Sequence, residues 1–184
     1  MSRVIAGSRG SRRISVPKGS ETRPTAERVR EAVFSTFYSL TDMDGAEVLD
    51  LYAGSGAIGI EAVSRGARRA VFVEKSRQAI PVLRKNIEDL DLTDSCDIVI
   101  GDVGGWLSSA AADRKDVVYI DPPYHRPVHG DLVALVERGW LAGHAVVAVE
   151  HALRDAPVEW PEGLEPLKMR RYGNTAVSYA RFEG

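Results

Sequence analysis

The chain has 184 residues, 44% of them hydrophobic, with a net charge of −2 and a single cysteine. That length suits one domain with a core of ordinary size, one cysteine excludes an internal disulfide, and no apolar run nears the roughly 20 residues of a membrane-spanning helix. No apolar signal region stands at the N-terminus, so a cytoplasmic protein is expected.

The charge is unevenly placed. Residues 1–30 hold Arg3, Arg9, Arg12, Arg13, Lys18, Arg23, Arg28 and Arg30 against Glu21 and Glu27, a net +6 that leaves −8 for the remainder. This asymmetry reads as a basic arm for a polyanion on an acidic body, or else as a solvated tail. Within the arm, residues 3–6 and 12–16 flank Gly7-Ser8-Arg9-Gly10-Ser11 and read as a short β-hairpin. A lone hairpin is marginal in water, so it either packs on the body or stays mobile until its partner arrives. Pro17 to Ser20 read as a linker, dividing a 1–20 hairpin segment from a 21–184 main domain. A helix then starts with Thr25 as N-cap, and Val29, Ala32, Val33, Phe34, Phe37 and Leu40 form its apolar stripe. Arg28 and Arg30 fall off that stripe, where phosphates are within reach.

Val48 to Glu61, VLDLYAGSGAIGIE, reads as strand, tight glycine turn and helix. A ligand against the backbone of such a turn leaves no room for a Cβ. Gly54, Gly56 and Gly59 spell GxGxxG with Glu74 twenty residues on, so the loop by itself fits a dinucleotide as well as S-adenosylmethionine. The next elements are a strand at 70–74, a helix from Ser76, a strand at 97–101, a helix at 103–112, a strand at 117–120, a helix at 130–139 and a buried strand at 145–150. This alternation predicts an α/β fold with a parallel, doubly wound sheet. Residues 167–172 and 175–182, joined by Gly173-Asn174, predict a closing hairpin.

Strand ends decide the cofactor. Asp50, Glu74, Asp102 and Asp121 each close a predicted strand, and in a parallel sheet those ends gather at one edge. Four carboxylates repel a pyrophosphate, whereas they suit a sulfonium with an ammonium group and two ribose hydroxyls. For Asp102 a plain helix N-cap is the competing reading.

Asp121-Pro122-Pro123-Tyr124 resembles the signature of methyltransferases that act on exocyclic nitrogens. With Arg23-Pro24-Thr25, Arg28-Val29-Arg30-Glu31 and DLYAGSGAIGIEAVSRGA, the chain resembles, almost end to end, the bacterial 16S ribosomal RNA guanine-N2 methyltransferase family. The resemblance implies a class I methyltransferase (Rossmann-like) fold, with seven strands, the last antiparallel, and helices on both faces of the sheet. It implies S-adenosyl-L-methionine as cofactor. Asp50 and the backbone of Gly54 and Gly56 then hold its methionine end, Glu74 the ribose hydroxyls and Asp102 the adenine amine, with Val103 where alanine is expected. Asp121 and the Pro122 carbonyl localise the lone pair of guanine N2, and Tyr124 stacks on a base turned out of its helix. Pro123, Arg23, Thr25, Arg28 and Glu31 shape the substrate entrance, while Arg3, Arg9, Arg12 and Arg13 contact the RNA. The expected partner is 16S RNA in a partly or fully assembled small subunit, met by a monomer without metal or membrane.

The competing readings are the same chemistry on DNA adenine or cytosine or on a glutamine amide, and a non-catalytic RNA-binding assembly factor. Elsewhere the residues read as structural. Cys96 is a small, half-buried hydrophobe, and Trp106, Trp140 and Trp160 are core or cover. His125 and His129 are surface residues, because Pro127 between them breaks a helical pair.

Overall fold

The computed structural model describes residues 2–17, 24–123 and 126–184. Strands β1 (Ser2–Arg3) and β2 (Arg13–Ile14) pair antiparallel, and α1 follows (Pro24–Leu40). Pro24 occupies the first helical position, where its missing N–H is harmless. The helix therefore starts ahead of Thr25, the expected cap, whose side chain is not among those described.

Alternation follows as β3 (Glu47–Leu51), α2 (Ala57–Ser64), β4 (Arg69–Glu74), α3 (Ala79–Asp89), β5 (Cys96–Ile100), α4 (Val103–Leu107), β6 (Lys115–Ile120), α5 (His129–Glu137) and β7 (Leu141–Ala152). The hairpin β8 (Leu164–Tyr172) and β9 (Thr175–Phe182) ends the fold. Helix α4 is shorter than the predicted 103–112 because Gly104 and Gly105, both poor helix formers, fill its centre.

Among the described residues seven strands make one sheet in the order β5-β4-β3-β6-β7-β9-β8. The first five pair in parallel, and β9 runs antiparallel to both its neighbours. This is the doubly wound sheet expected. One face packs on α1, α2 and α3 through Phe34, Phe37, Ile60 and Leu83; the other packs on α4 and α5 through Leu107, Leu132 and Leu135. Trp140 and Trp106 meet on that second face with ring centroids 4.2 Å apart.

The basic hairpin is packed down. Val4 and Ile14 are 1% and 0% exposed and belong to the first-face core. Glu61, fully buried on α2, accepts from the N–H groups of Ile5 at 2.8 Å and Ala6 at 3.0 Å. Arg30 corrects the sequence reading. It is 4% exposed, turned away from solvent, with its Nε 3.4 Å from Glu61 and its Nη2 donating to the Arg3 carbonyl. Its neighbour Glu31 pairs with Arg65 at 2.5 Å.

Two glycines make the loop-to-helix turn possible, for different reasons. Gly56 has φ +79° and faces inward, where a Cβ would lie 2.3 Å from Leu83 Cδ1. Gly59 is helical, and a Cβ there would meet Phe72 Cε1 at 2.4 Å. Alanine at Gly59 gains about 1 kcal/mol in helix propensity against about 1–3 kcal/mol of overpacking. Alanine at Gly56 has no such gain and adds about 1–2 kcal/mol of left-handed strain. Thermal unfolding should therefore rank Gly56→Ala well below Gly59→Ala, by roughly 5–10 °C for a chain of this size.

Candidate active site

The carboxyl ends of β3, β4, β5, β6 and β7 share one edge, and the strand-end acids collect there. Glu74 ends β4 and reaches across to the glycine loop, its Oε2 accepting from Gly54 N–H at 2.8 Å. Its Oε1 accepts from the N–H groups of Lys75 and Ser76 at 2.8 and 2.7 Å. The space over Gly54 is open, since a Cβ there would find nothing nearer than the Tyr52 carbonyl at 4.0 Å. Of the two loop glycines expected to touch a ligand, Gly54 faces the open edge and Gly56 faces the core.

Asp50 also faces inward. It is 2% exposed, and its Oδ2 accepts from Gly59 N–H at 2.9 Å, so it ties the first turn of α2 to β3. Burial pushes its carboxyl up to about 7, against the pull of the Gly59 bond and with a further push from Glu74. Asp102 caps α4, accepting from Gly105 N–H at 3.4 Å, so the N-cap geometry weighed for it is present. The same carboxylate meets Lys75 Nζ at 2.9 Å and Arg126 Nη1 at 3.4 Å. Hydrogen bonding from Lys75, then from Gly105, with the charges of Lys75 and Arg126, holds it below the ordinary carboxylate range despite some desolvation. Val103 is 2% exposed and lies in the second-face core rather than open to the edge.

Asp121 follows β6, its N–H donating to the Leu51 carbonyl at 3.3 Å and so extending the ladder with β3. Its side chain opens to solvent on the edge side. Loss of water on its crowded sides, then the charges of Glu150 and Asp50, raise its pKa well above the usual range. Access to solvent moderates that shift. Pro122 is half-buried and Pro123 exposed. The Pro123 carbonyl accepts from Arg126 N–H at 3.1 Å. Tyr124 lies outside the described residues.

Sequence reading missed the groups that surround this motif. Arg126 stands 5.1 Å over the Tyr52 ring and bridges Asp102 and Asp131, while the Tyr52 hydroxyl donates to Asp131 at 2.5 Å. Glu150, near the end of β7, accepts from the Tyr119 hydroxyl. The same rule that singled out Asp50, Glu74, Asp102 and Asp121, a carboxylate closing an apolar strand, applies to Glu150. Ile100 was also missed. It ends β5 56% exposed, an apolar side chain left open two residues before Asp102.

The arginines expected to contact RNA divide. Arg9 donates from Nε to the Leu90 carbonyl at 2.6 Å and from Nη2 to the Asp91 carbonyl at 3.3 Å. Arg12 donates to the Asp89 carbonyl. Both guanidiniums thus satisfy carbonyls at the C-terminal end of α3, where a positive charge suits the helix dipole. Arg3, Arg13 and Arg28 are exposed, and Arg23 lies outside the described residues. The hairpin tip rests on the far end of α2, with the Ser8 N–H donating to the Ser64 carbonyl at 2.7 Å. That places it about 12 Å along the helix from the glycine loop.

A seven-stranded sheet with an antiparallel β9, a glycine loop over open space and acids along one edge define the class I methyltransferase fold. The family model described as "Conserved hypothetical protein 95" matches residues 2–181, and the chain belongs to that family. Ribosomal RNA small subunit methyltransferase D of Haemophilus influenzae is 32% identical, over 98% of this chain and 93% of its own. The solved structure of Escherichia coli yhhF is 30% identical and superposes with a TM-score of 0.88, covering 99% of this chain and 98% of its own. The fold alone is shared with a Salinibacter ruber RNA methyltransferase solved with S-adenosyl-L-homocysteine. That pair is 21% identical with a TM-score of 0.62, covering 89% of this chain and 94% of that one.

Proposed function

We propose that this protein transfers a methyl group from S-adenosyl-L-methionine to the exocyclic N2 of one guanine in 16S ribosomal RNA. The observation that carries the reading is the position of Asp121-Pro122-Pro123. It stands on the same sheet edge as the open Gly54 loop and Glu74, in a chain related over nearly its full length to a small-subunit rRNA methyltransferase.

The donor set fits the cofactor. Glu74 already orients both oxygens through three backbone N–H groups and keeps lone pairs for ribose hydroxyls. Asp102 accepts the adenine amine, Ile100 offers the purine an apolar face, and the open backbone at Gly54 receives the methionine end. Asp50 acts one step back by holding the loop. The cofactor supplies an electrophilic methyl on a sulfonium.

The remaining work falls to the chain's own groups. Guanine N2 is a weak nucleophile because its lone pair is delocalised into the ring. Asp121 and the Pro122 carbonyl accept its two N–H bonds and draw the pair back onto nitrogen. The prolines fix the backbone φ that aims that carbonyl. Tyr124 stacks on the base, and orientation supplies most of the rate. Arg3, Arg13, Arg23, Thr25, Arg28 and Pro123 form the RNA approach, with Arg9 and Arg12 adding positive field beside α3.

The test is label transfer from S-adenosylmethionine to small ribosomal subunits, stripped 16S RNA and duplex DNA, all from cells lacking the enzyme, with the product nucleotide mapped. N2-methylguanine at one 16S position is the expected result. Label in DNA, or none in any acceptor while the cofactor binds, overturns the substrate assignment.

A further inference from the structure

We propose that Glu150 is the positioning residue of this site: held by the Tyr119 hydroxyl beside Asp121, it makes Asp121 the acceptor of the proton that guanine N2 sheds. The inference rests on the methyltransferase reading above and goes beyond it, because that reading gives Asp121 only a hydrogen-bonding role.

The geometry starts from strand register. In the parallel ladder of β6 and β7, Tyr119 is level with Ala148 and Ile120 with Val149, so the next step sets Asp121 level with Glu150. Side chains two residues apart on a strand share a face, which puts Tyr119 and Asp121 on the side where Glu150 lies. The hydrogen bond from Tyr119 to Glu150 closes that triangle. On the other flank Asp50 of β3 is level with Tyr119 and buried.

Among the described residues the charged groups acting on Asp121 are thus Glu150 and Asp50, both acidic. Around Glu150 stand Tyr119, the His151 side chain next in β7 and Tyr179 of β9. His151 is itself held through Nε2 by Ser178 Oγ at 3.0 Å. Burial raises the Glu150 carboxyl, with the Tyr119 bond and His151 opposing that rise, and the Glu150 charge in turn acts on Asp121.

The chemistry needs such an arrangement. When N2 gains a methyl group it becomes cationic while it still carries two hydrogens. One N–H bond must break, leaving its electron pair on nitrogen, and the proton must form an O–H bond elsewhere. An isolated aspartate is a weak base for that step. A carboxylate crowded by two others binds a proton more tightly, and the proton then relieves their repulsion. The proton leaves Asp121 for water on the open edge side.

The test uses the full-length protein with Glu150→Gln and Glu150→Asp. Glutamine removes the neighbouring charge at constant size, so Asp121 ionises at lower pH. The acidic limb of kcat against pH should move about one pH unit lower, with a plateau about tenfold lower because the base is weaker, while KM for RNA stays within twofold. Aspartate keeps the charge and should restore the limb to its wild-type position. On the free protein, a carbon-13 titration of the Asp121 carboxyl should show the same downward shift in the glutamine variant, and thermal unfolding should show both variants folded. A limb and a carboxyl titration that Glu150→Gln leaves in place overturn the role of Glu150 alone. Wild-type protein that methylates no RNA overturns the underlying reading and this one with it.

Discussion

Asp121→Ala abolishes methyl transfer, by about 10³-fold or more, and leaves S-adenosylhomocysteine binding within about threefold. On the proposed mechanism the substitution removes a group that both orients and deprotonates the nucleophile in the transition state, and the expected magnitude follows from that. Cofactor binding should survive because the groups proposed to hold it, Glu74, Gly54 and Asp102, sit on β4, the glycine loop and the start of α4, apart from the residues after β6. The same substitution should raise the midpoint of thermal unfolding at neutral pH. Asp121 titrates above the ordinary carboxylate range in the folded protein. A carboxyl with a raised folded pKa favours folding below its unfolded pKa and loses that contribution as pH rises through the folded value. At neutral pH Asp121 is therefore a net burden on stability, and alanine removes it. Calorimetric titration of the variant with the cofactor product, beside a melting curve, checks both halves. Retained turnover removes Asp121 from the chemistry, and a melting point that falls at neutral pH contradicts a destabilising Asp121.

Glu61→Ala unfolds the packing of the N-terminal hairpin and costs about 3–5 kcal/mol. Glu61 is fully buried, and its Oε1 takes Arg65 Nε at 2.7 Å besides the Ala6 N–H, while its Oε2 faces Arg30 beside the Ile5 N–H. Alanine leaves Arg30, 4% exposed, without its carboxylate, and leaves Arg65 with Glu31 in place of two carboxylates. Removing one partner of a buried ion pair is penalised by that amount, because the remaining charge stays dehydrated. Burial already lowers the Arg30 pKa, against the support of Glu61. Two backbone N–H groups lose their acceptor as well, each worth about 1 kcal/mol. Urea unfolding measures the total, and hydrogen exchange at Ile5 and Ala6 reports whether the hairpin has come away. Protection unchanged at those amides rules out Glu61 as the anchor.

Asp121 and Glu61 differ in how much of their role shows along the chain. The role proposed for Asp121 has a local mark, because Asp121-Pro122-Pro123-Tyr124 directly after an apolar strand resembles the signature of methyltransferases that act on exocyclic nitrogens. Glu61 has none. Within GIEAV it looks like an ordinary helical glutamate, and nothing local shows that a segment 55 residues earlier delivers two amides to it. Arg30 fails for the same reason. Helical spacing placed it off the apolar stripe, but the stripe on α1 is met on one side by β1, whose backbone takes the guanidinium. Arg9 and Arg12 were counted as charge for a polyanion, and the fold gives them the carbonyls ending α3. Periodicity reports which face of an element is apolar and is silent on which polar partner arrives from far along the chain.

The strand order carries the same lesson at the active edge. The strand-end carboxylates of Glu74, Asp102 and Asp121 are visible in the sequence, and the rule that parallel strands present their carboxyl ends together made one site of them. Their depth was not visible. Asp50 and Val103 face the core, Gly54 and Ile100 face outward, and Glu150 enters only because β7 lies against β6 in a register that levels it with Asp121.

By itself the sequence determined the α/β alternation, the glycine turn, the acids at strand ends and the motif at Asp121, because each depends on a short window of the chain. Only the tertiary structure decided that the hairpin is part of the core, that Arg30 is buried against Glu61, and that Tyr119 and Glu150 stand behind Asp121. Those features depend on contacts between residues 25 to 80 positions apart, and burial and ion pairing respond to distance in space, of which distance along the chain is no measure.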